Sequence, residues 1–479
     1  MTAEIPDPPA AAMTLGGARW MSPAGHRRPF DAVVLLTIYL AALFVIPANL
    51  VVGPLGAAGT PALLIGLAAG GWWLGAQLDR SRATLTPAQP IRRAMMIFVI
   101  AVVASYVAGT TRPIEGIEVA AADRGLLIVF SWLGILLLTG DGVPTLARLE
   151  TLLRRLVAAG GVVATLGIVQ FLTGLALIDR LSIPGLSANN ALTSVYNRNG
   201  FVRAAGTSTH PIEFGVLLAM VLPIALHFAL APSSRSRVRR WFPVAAIAVA
   251  VPVTVSRSAF IGVLVVLAIL LPSWPRRRRR RAYAAIAVLL AAVYVGVPGL
   301  LGTMIRLFTG ISGDNSARSR TDSYSLAWQF ITHNPFFGRG ISTFLPKYRI
   351  LDNQYLGLTI ETGFVGLGAF LLVLATGVTL AVKIRRTALD PGVRSLALAL
   401  MATVVAAGVS YATFDAFGFT QVASLTFFVL GSIAALHRRL VLGVPVAGAD
   451  LPARRADGRV VDPPAGAAPA RRTPPDEWD

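Results

Sequence analysis

The chain has 479 residues, of which 55% are hydrophobic and only 14% charged, against about 25% charged in soluble domains. The apolar residues run in uninterrupted stretches, which excludes a soluble globular enzyme and also a membrane β-barrel with its alternating strands. There is no cysteine, which excludes disulfides and thiolate metal sites, and the net charge of +20 collects in short segments between the apolar runs. That is the pattern of basic loops retained on the cytoplasmic side of a membrane, not of a nucleic-acid partner.

Twelve runs are long enough, or nearly so, to span a bilayer: about 32–48, 61–77, 94–109, 125–139, 156–172, 212–231, 241–255, 258–274, 282–301, 354–382, 395–414 and 418–436. The expected fold is therefore an all-α polytopic membrane protein of about 12 transmembrane helices. A cytoplasmic segment 1–31 precedes a transmembrane domain over 32–440, and a Pro-, Ala- and Arg-rich tail over 441–479 is expected to be disordered and cytoplasmic. The six arginines Arg276–Arg281 fix the orientation, because arginine crosses a bilayer only at high cost. With both termini inside, the cytoplasmic segments carry 31 of the 43 basic and 13 of the 23 acidic residues, a net +18 against +2 outside.

Two outer loops, about 173–211 and 302–353, are far longer than the others, and long loops in a compact chain tend to carry function. In the second, Tyr324, Leu326, Trp328, Phe330 and Ile331 predict a partly amphipathic surface helix before a turn at Asn334-Pro335. Arginines gather on this outer side against the charge rule: Arg198 and Arg203, Arg257 in a tight Thr-Val-Ser-Arg-Ser turn, then Arg306, Arg318, Arg320, Arg339 and Arg349. A guanidinium binds phosphate through a planar fork and never loses its charge, so the cluster suits a lipid-linked diphosphate.

Acids are scarce there. Asp352 opens a span beside Asn353, where it is placed either to cap the helix or to serve as a base. Glu361 lies further in, and a carboxylate inside a span is a functional candidate. His210 precedes Pro211 at another helix start, where it either bonds locally or acts as a base near neutral pH. No Asp-x-Asp pair, Walker loop or ligand-spaced His/Asp/Glu set occurs, so neither metal nor cofactor is expected.

From Arg320 the chain reads through Tyr324 to Pro335-Phe-Phe-Gly338-Arg-Gly340, then Asp352-Asn353, then Glu361-Thr-Gly363-Phe-Val-Gly366. With Arg203-Ala-Ala-Gly206, His210-Pro211 and Thr254-Val-Ser-Arg257, this order resembles the O-antigen ligase and polymerase superfamily. The resemblance implies an undecaprenyl-diphosphate-linked glycan donor, used outside the bacterial cytoplasmic membrane and transferred to an acceptor hydroxyl without metal or nucleotide. It also implies that Arg203 and Arg257 hold the diphosphate. Members of the ligase branch carry His-Asn where this chain has Asp352-Asn353, and the difference leans the reading towards polymerisation of repeat units.

The expected mechanism is inverting. Arg203 and Arg257 clamp the donor, Arg318 or Arg320 assists, and Asp352 accepts or orients the acceptor's proton. His210, Tyr324, Asn353 and Glu361 are the other expected substrate-binding residues. Expected partners are the lipid-diphosphate-linked donor, a glycan, lipid or protein acceptor, membrane lipids and other polysaccharide-assembly proteins. The alternatives are ligase-type attachment of a finished glycan and, from another class, a transporter or flippase of lipid-linked glycans. A transporter requires charge deep in several spans or broken half-helices at the midplane.

Overall fold

A computed structural model of the chain describes residues 31–78, 89–178, 181–189, 195–198, 200–309 and 315–441. The expected cytoplasmic segment up to residue 30 and the tail beyond 441 lie outside the described residues. Each of the twelve apolar runs overlaps a helix, but 32–48 outlasts its helix and 282–301 crosses a sharp corner between two helices. Among the described residues eight helices are long and apolar enough to cross a membrane, or nine if one bent pair counts as a single span. The protein is thus an all-α chain of the multi-pass membrane type.

The first half contains α1 (Ala32–Val45), α2 (Pro61–Leu78), α3 (Pro90–Thr110), α4 (Gly116–Gly142) and α5 (Leu146–Thr173). Next come α6 (Pro211–Leu230), α7 (Arg237–Val253), α8 (Arg257–Leu270) and α9 (Arg276–Gly296). The chain ends in α10 (Leu300–Thr309), α11 (Asn315–His333), α12 (Gln354–Thr387), α13 (Pro391–Ser410) and α14 (Thr420–Val441). α6 is apolar on every side and nearly all of it is buried, as is α14, so these two form the centre of the bundle. α9 buries no residue and lies at the periphery, where the Pro298-Gly299 corner, with Gly299 at φ +83°, bends the chain by 112° into α10.

Sequence periodicity did not announce the strands. β1 (Leu50–Val52) pairs antiparallel with β2 (Leu186–Ala188), and β3 (Val195–Arg198) with β4 (Phe201–Ala204). Three or four residues per strand are too few to establish a period, and the first pair joins segments more than 130 positions apart in the chain. The surface helix expected around 324–331 is present as α11. It buries Ala327 and Ile331 against Leu351 and Ile360 while Tyr324 and Trp328 remain exposed.

Two glycine motifs turn out to be one structural joint. α12 is broken at Gly363, which sits at φ +65°, ψ −173°. The turn after α11 fills the break. Its Arg339 and Gly340 N–H groups donate to the Ile360 and Glu361 carbonyls at 3.0 and 2.9 Å. The Pro335 and Phe336 carbonyls accept from Phe364 and Val365 at 2.8 and 3.2 Å. A Cβ on Gly338 would lie 2.3 Å from the Glu361 carbonyl, and one on Gly363 would lie 2.1 Å from the Phe336 oxygen. Neither position accepts a side chain, because backbone meets backbone there.

A buried ion pair locks the same turn to α4. Arg339 donates to Glu118 at 2.8 Å and lies over the rings of Phe330 and Tyr348. Arg112, just past α3, donates to the Arg339 carbonyl through two nitrogens. Lys347 pairs with Glu115 at 2.7 Å, which holds its ammonium above the ordinary value.

Candidate active site

The N-termini of α6, α8 and α12 and the turn between α13 and α14 meet at one end of the bundle, and the expected arginines and acid meet there too. A buried polar frame sets this end. Gln170 brackets Gly206 by donating to its carbonyl and accepting from its N–H, at 3.2 and 2.9 Å. Glu213, fully buried, accepts from Thr209 N–H and Oγ1 and from Gln421 N–H at 2.8–3.0 Å. Segment 203–213 therefore cannot drift, and it delivers Arg203 from β4 into the bundle.

Arg203 is buried, and its Nε donates to the Thr254 carbonyl at 2.8 Å. Thr254 begins the turn that ends at Arg257, the first residue of α8. The two arginines thus share one turn, although more than fifty residues separate them in the chain. In that turn Val255 sits at φ +46°, a strained position for a β-branched residue, and Ser256 caps α8 by accepting from the Ala259 N–H. Strain of this kind persists only where the surroundings over-determine it, and Thr254, Val255 and Ser256 are all buried.

The turn 411–418 connects this arginine corner to the head of α12. Thr413 Oγ1 donates to Ser258 Oγ at 2.7 Å, beside Arg257. Gln354 donates its backbone N–H to the Tyr411 carbonyl at 2.9 Å, and its Oε1 accepts from the Phe417 N–H at 2.6 Å. Gln354 lies two positions beyond Asp352, so the acid and the arginines sit at opposite ends of a single braced turn.

Asp352 does not cap α12. Asn353 does, accepting from the Tyr355 and Leu356 N–H groups at 3.0 and 3.3 Å. The capping role falls to the residue whose side chain reaches the first free N–H groups, and Asp352, one residue earlier, is half-buried. Asn353 also faces the Tyr324 hydroxyl at 3.5 Å, which brings α11 to the site. His210 takes the local role: it is the N-cap of α6, with Nδ1 accepting from the Ile212 N–H at 3.1 Å and its ring against Tyr196. Glu361 belongs to the joint under Arg339 and Gly340, where its carbonyl also accepts from Ser105 at 2.7 Å. Arg318 and Arg320 fall on α11, and their side chains lie outside the described residues.

Sequence reasoning missed Asp415. It lies in the turn 411–418, open to solvent yet enclosed by protein on most sides. Burial and repulsion from Asp352 push its carboxyl up to about 6, against a hydrogen bond from the Gly418 backbone that favours the charged form. The available signal was its place in a connection of only nine residues between two spans, 411–419, on the same side as Asp352. Among the described residues no three His, Asp or Glu side chains gather in a metal-ligating arrangement.

Fold and site together define a multi-pass helical membrane protein in which the segments carrying Arg203, Arg257, Asp352 and Asp415 are joined by hydrogen bonds at one end of the bundle. Residues 242–371 match the family model described as O-antigen ligase, so this stretch of the chain is similar to that family. The matched stretch includes Arg257, the Gly338–Gly363 joint and Asp352-Asn353. Arg203, His210 and Asp415 lie outside it; Arg203 is tied to it through the Thr254 carbonyl, and Asp415 through the field of Asp352. A search of curated proteins returns no match to this chain.

Proposed function

We propose that the protein transfers a glycan from a polyprenyl diphosphate, undecaprenyl diphosphate in a bacterial membrane, to an acceptor hydroxyl. On this reading the site opens on the outer face of the cytoplasmic membrane and the product is a lengthened repeat-unit polymer. One observation carries the reading: Arg203 docks on the carbonyl of Thr254, three residues before Arg257, at the turn braced to Asp352 and Asp415.

The acceptor oxygen attacks the anomeric carbon from the side opposite the diphosphate. A new C–O bond forms, the C–O bond to phosphate breaks, and its electron pair leaves with the diphosphate. Two guanidinium groups fixed in a low-dielectric corner stabilise that growing charge without reorganisation. The acceptor's proton passes to a carboxylate. Asp415, with its carboxyl at about 6, is ionised near neutral pH and is a stronger base than an ordinary aspartate. Burial chiefly sets that value, with repulsion from Asp352 adding to it, and Asp352 orients the hydroxyl.

Polymerisation is preferred to ligation because an aspartate stands beside Asn353 where the ligase branch carries histidine. The break in α12 does not favour transport, since the 335–340 turn fills it and leaves no open half-helix end. The test is incubation of the purified, detergent-solubilised chain with a lipid-diphosphate oligosaccharide and no membrane gradient. Longer lipid-linked products from donor alone support polymerisation. Transfer only after a separate acceptor is added makes the protein a ligase, and an unconsumed donor removes the enzyme reading.

A further inference from the structure

A cavity of about 100 Å³ borders the 411–418 turn through Phe417 and Gly418 and is otherwise lined from the β1–α2 connection, α2, α4 and α14, not from α6 or α8. Thr60, Arg124, Ser131, Thr420 and Ser424 supply its polar wall, with Phe417 and Gly418 closing it towards the site. Among the described residues no carboxylate lines it. A guanidinium facing four hydroxyls, with no acid to neutralise it, is suited to a ligand rich in hydroxyl or anionic oxygens. The volume and the polar wall do not suit an acyl chain.

Its position relative to the reacting groups is informative. Thr413 touches α8 beside Arg257, Phe417 and Gly418 form the cavity wall, and Asp415 stands between them with Gly418 as its backbone donor. Displacement at an anomeric carbon requires the incoming hydroxyl to approach opposite the leaving diphosphate. The acceptor must then bind beside the base but apart from the arginines, and the cavity adjoins Asp415 through Gly418 while sharing no lining residue with the Arg203–Arg257 turn.

We propose that this cavity is the acceptor-sugar subsite, taking the terminal sugar ring of the growing or receiving glycan and presenting its hydroxyl to Asp415. The assignment rests on the glycosyl-transfer reading above. Arg124 is a specificity residue in it, holding a ring hydroxyl or a sugar carboxylate, and touches no part of the donor diphosphate. Ala57 lines the same cavity from a short 3-10 helix, Gly53–Ala58, between β1 and α2, so a larger side chain there fills the space without altering a long bundle helix.

Two probes separate the subsites by binding rather than turnover. One is the oligosaccharide released by mild acid from the lipid-linked pool of the producing cells. The other is farnesyl diphosphate, which carries the diphosphate but no sugar. Calorimetric titration of the full chain in detergent is expected to show oligosaccharide binding weakened about tenfold or more by Arg124→Ala and by Ala57→Phe, with farnesyl diphosphate held within about twofold. Arg257→Ala is expected to do the reverse. Wild-type oligosaccharide affinity in both cavity variants overturns the assignment, as does equal loss of both probes in a variant that keeps its melting temperature. Absence of any oligosaccharide binding to the wild-type chain also overturns it. If the cavity variants lose the oligosaccharide selectively while the wild type never consumes donor, the cavity stands as a glycan site and the glycosyl-transfer reading falls.

Discussion

The Nε of Arg203 donates to the carbonyl of Thr254 at 2.8 Å, and this contact sets the second arginine of the pair as firmly as the first. Arg257 follows three residues later, after a strained Val255 and a capping Ser256. One hydrogen bond therefore couples the β4 strand to the start of α8.

Arg203→Lys tests whether the planar fork matters or only the charge. An ammonium has no geometry with which to hold the Thr254 carbonyl and a phosphate together, so turnover is expected to fall about 100-fold, close to the loss from Arg203→Ala. Radiolabelled donor consumption measures both. Equal activity in the lysine variant would reduce the site to a simple positive charge.

The rate should depend on pH through Asp415. A carboxylate accepts a proton only when ionised, so kcat/KM is expected to rise from pH 5 to 7 with a midpoint near 6. Asp415→Asn removes that limb and most of the activity. Asp352→Asn removes a repelling negative charge and shifts the midpoint downward, towards the ordinary 3.8. The stability sign is opposite. A raised carboxyl favours the fold most when protonated, so its contribution is full below about 4 and is lost as pH rises through about 6. An unchanged midpoint in Asp352→Asn would show that the two acids do not interact.

Gly363→Ala and Gly338→Ala should each destabilise the chain by at least about 2 kcal/mol, since each adds a Cβ at positive φ directly against backbone. Thermal unfolding in detergent, followed by circular dichroism, provides the measurement. Gly368→Ala, where a Cβ meets nothing within 4 Å, is the control and is expected to unfold like the wild type.

Glu118→Gln removes the charge that faces the buried Arg339 guanidinium, at a cost of about 3–5 kcal/mol. The double replacement Glu118→Gln, Arg339→Met is expected to recover a large part of that loss, because no uncompensated charge remains buried. Melting temperatures of the single and double variants form the cycle. A double variant no more stable than the single would mean that Arg339 acts chiefly through its rings and backbone contacts.

The absence of native cysteine makes orientation directly testable. Arg278→Cys and Phe337→Cys are both exposed positions. A membrane-impermeant maleimide added to intact spheroplasts is expected to label the second and to reach the first only after lysis. The converse pattern would place the arginine pair on the cytoplasmic side.

The sequence alone determined the helices and the chemistry available to them. Each apolar run became a helix, because a chain that exposes so little polar side-chain surface can satisfy its backbone only within itself. The surface helix and the two glycine motifs were also legible, although the motifs read as a signature and not as a joint between a turn and a broken helix. Only the tertiary structure decided which polar groups are brought together. It gave the cap of α12 to Asn353 and the cap of α6 to His210, moved Glu361 into the joint and brought Asp415 to the site. Helix formation depends on residues three and four apart, whereas this site is assembled from five segments between positions 203 and 418. Their meeting is set by how the helices pack, and no local pattern in the sequence records it.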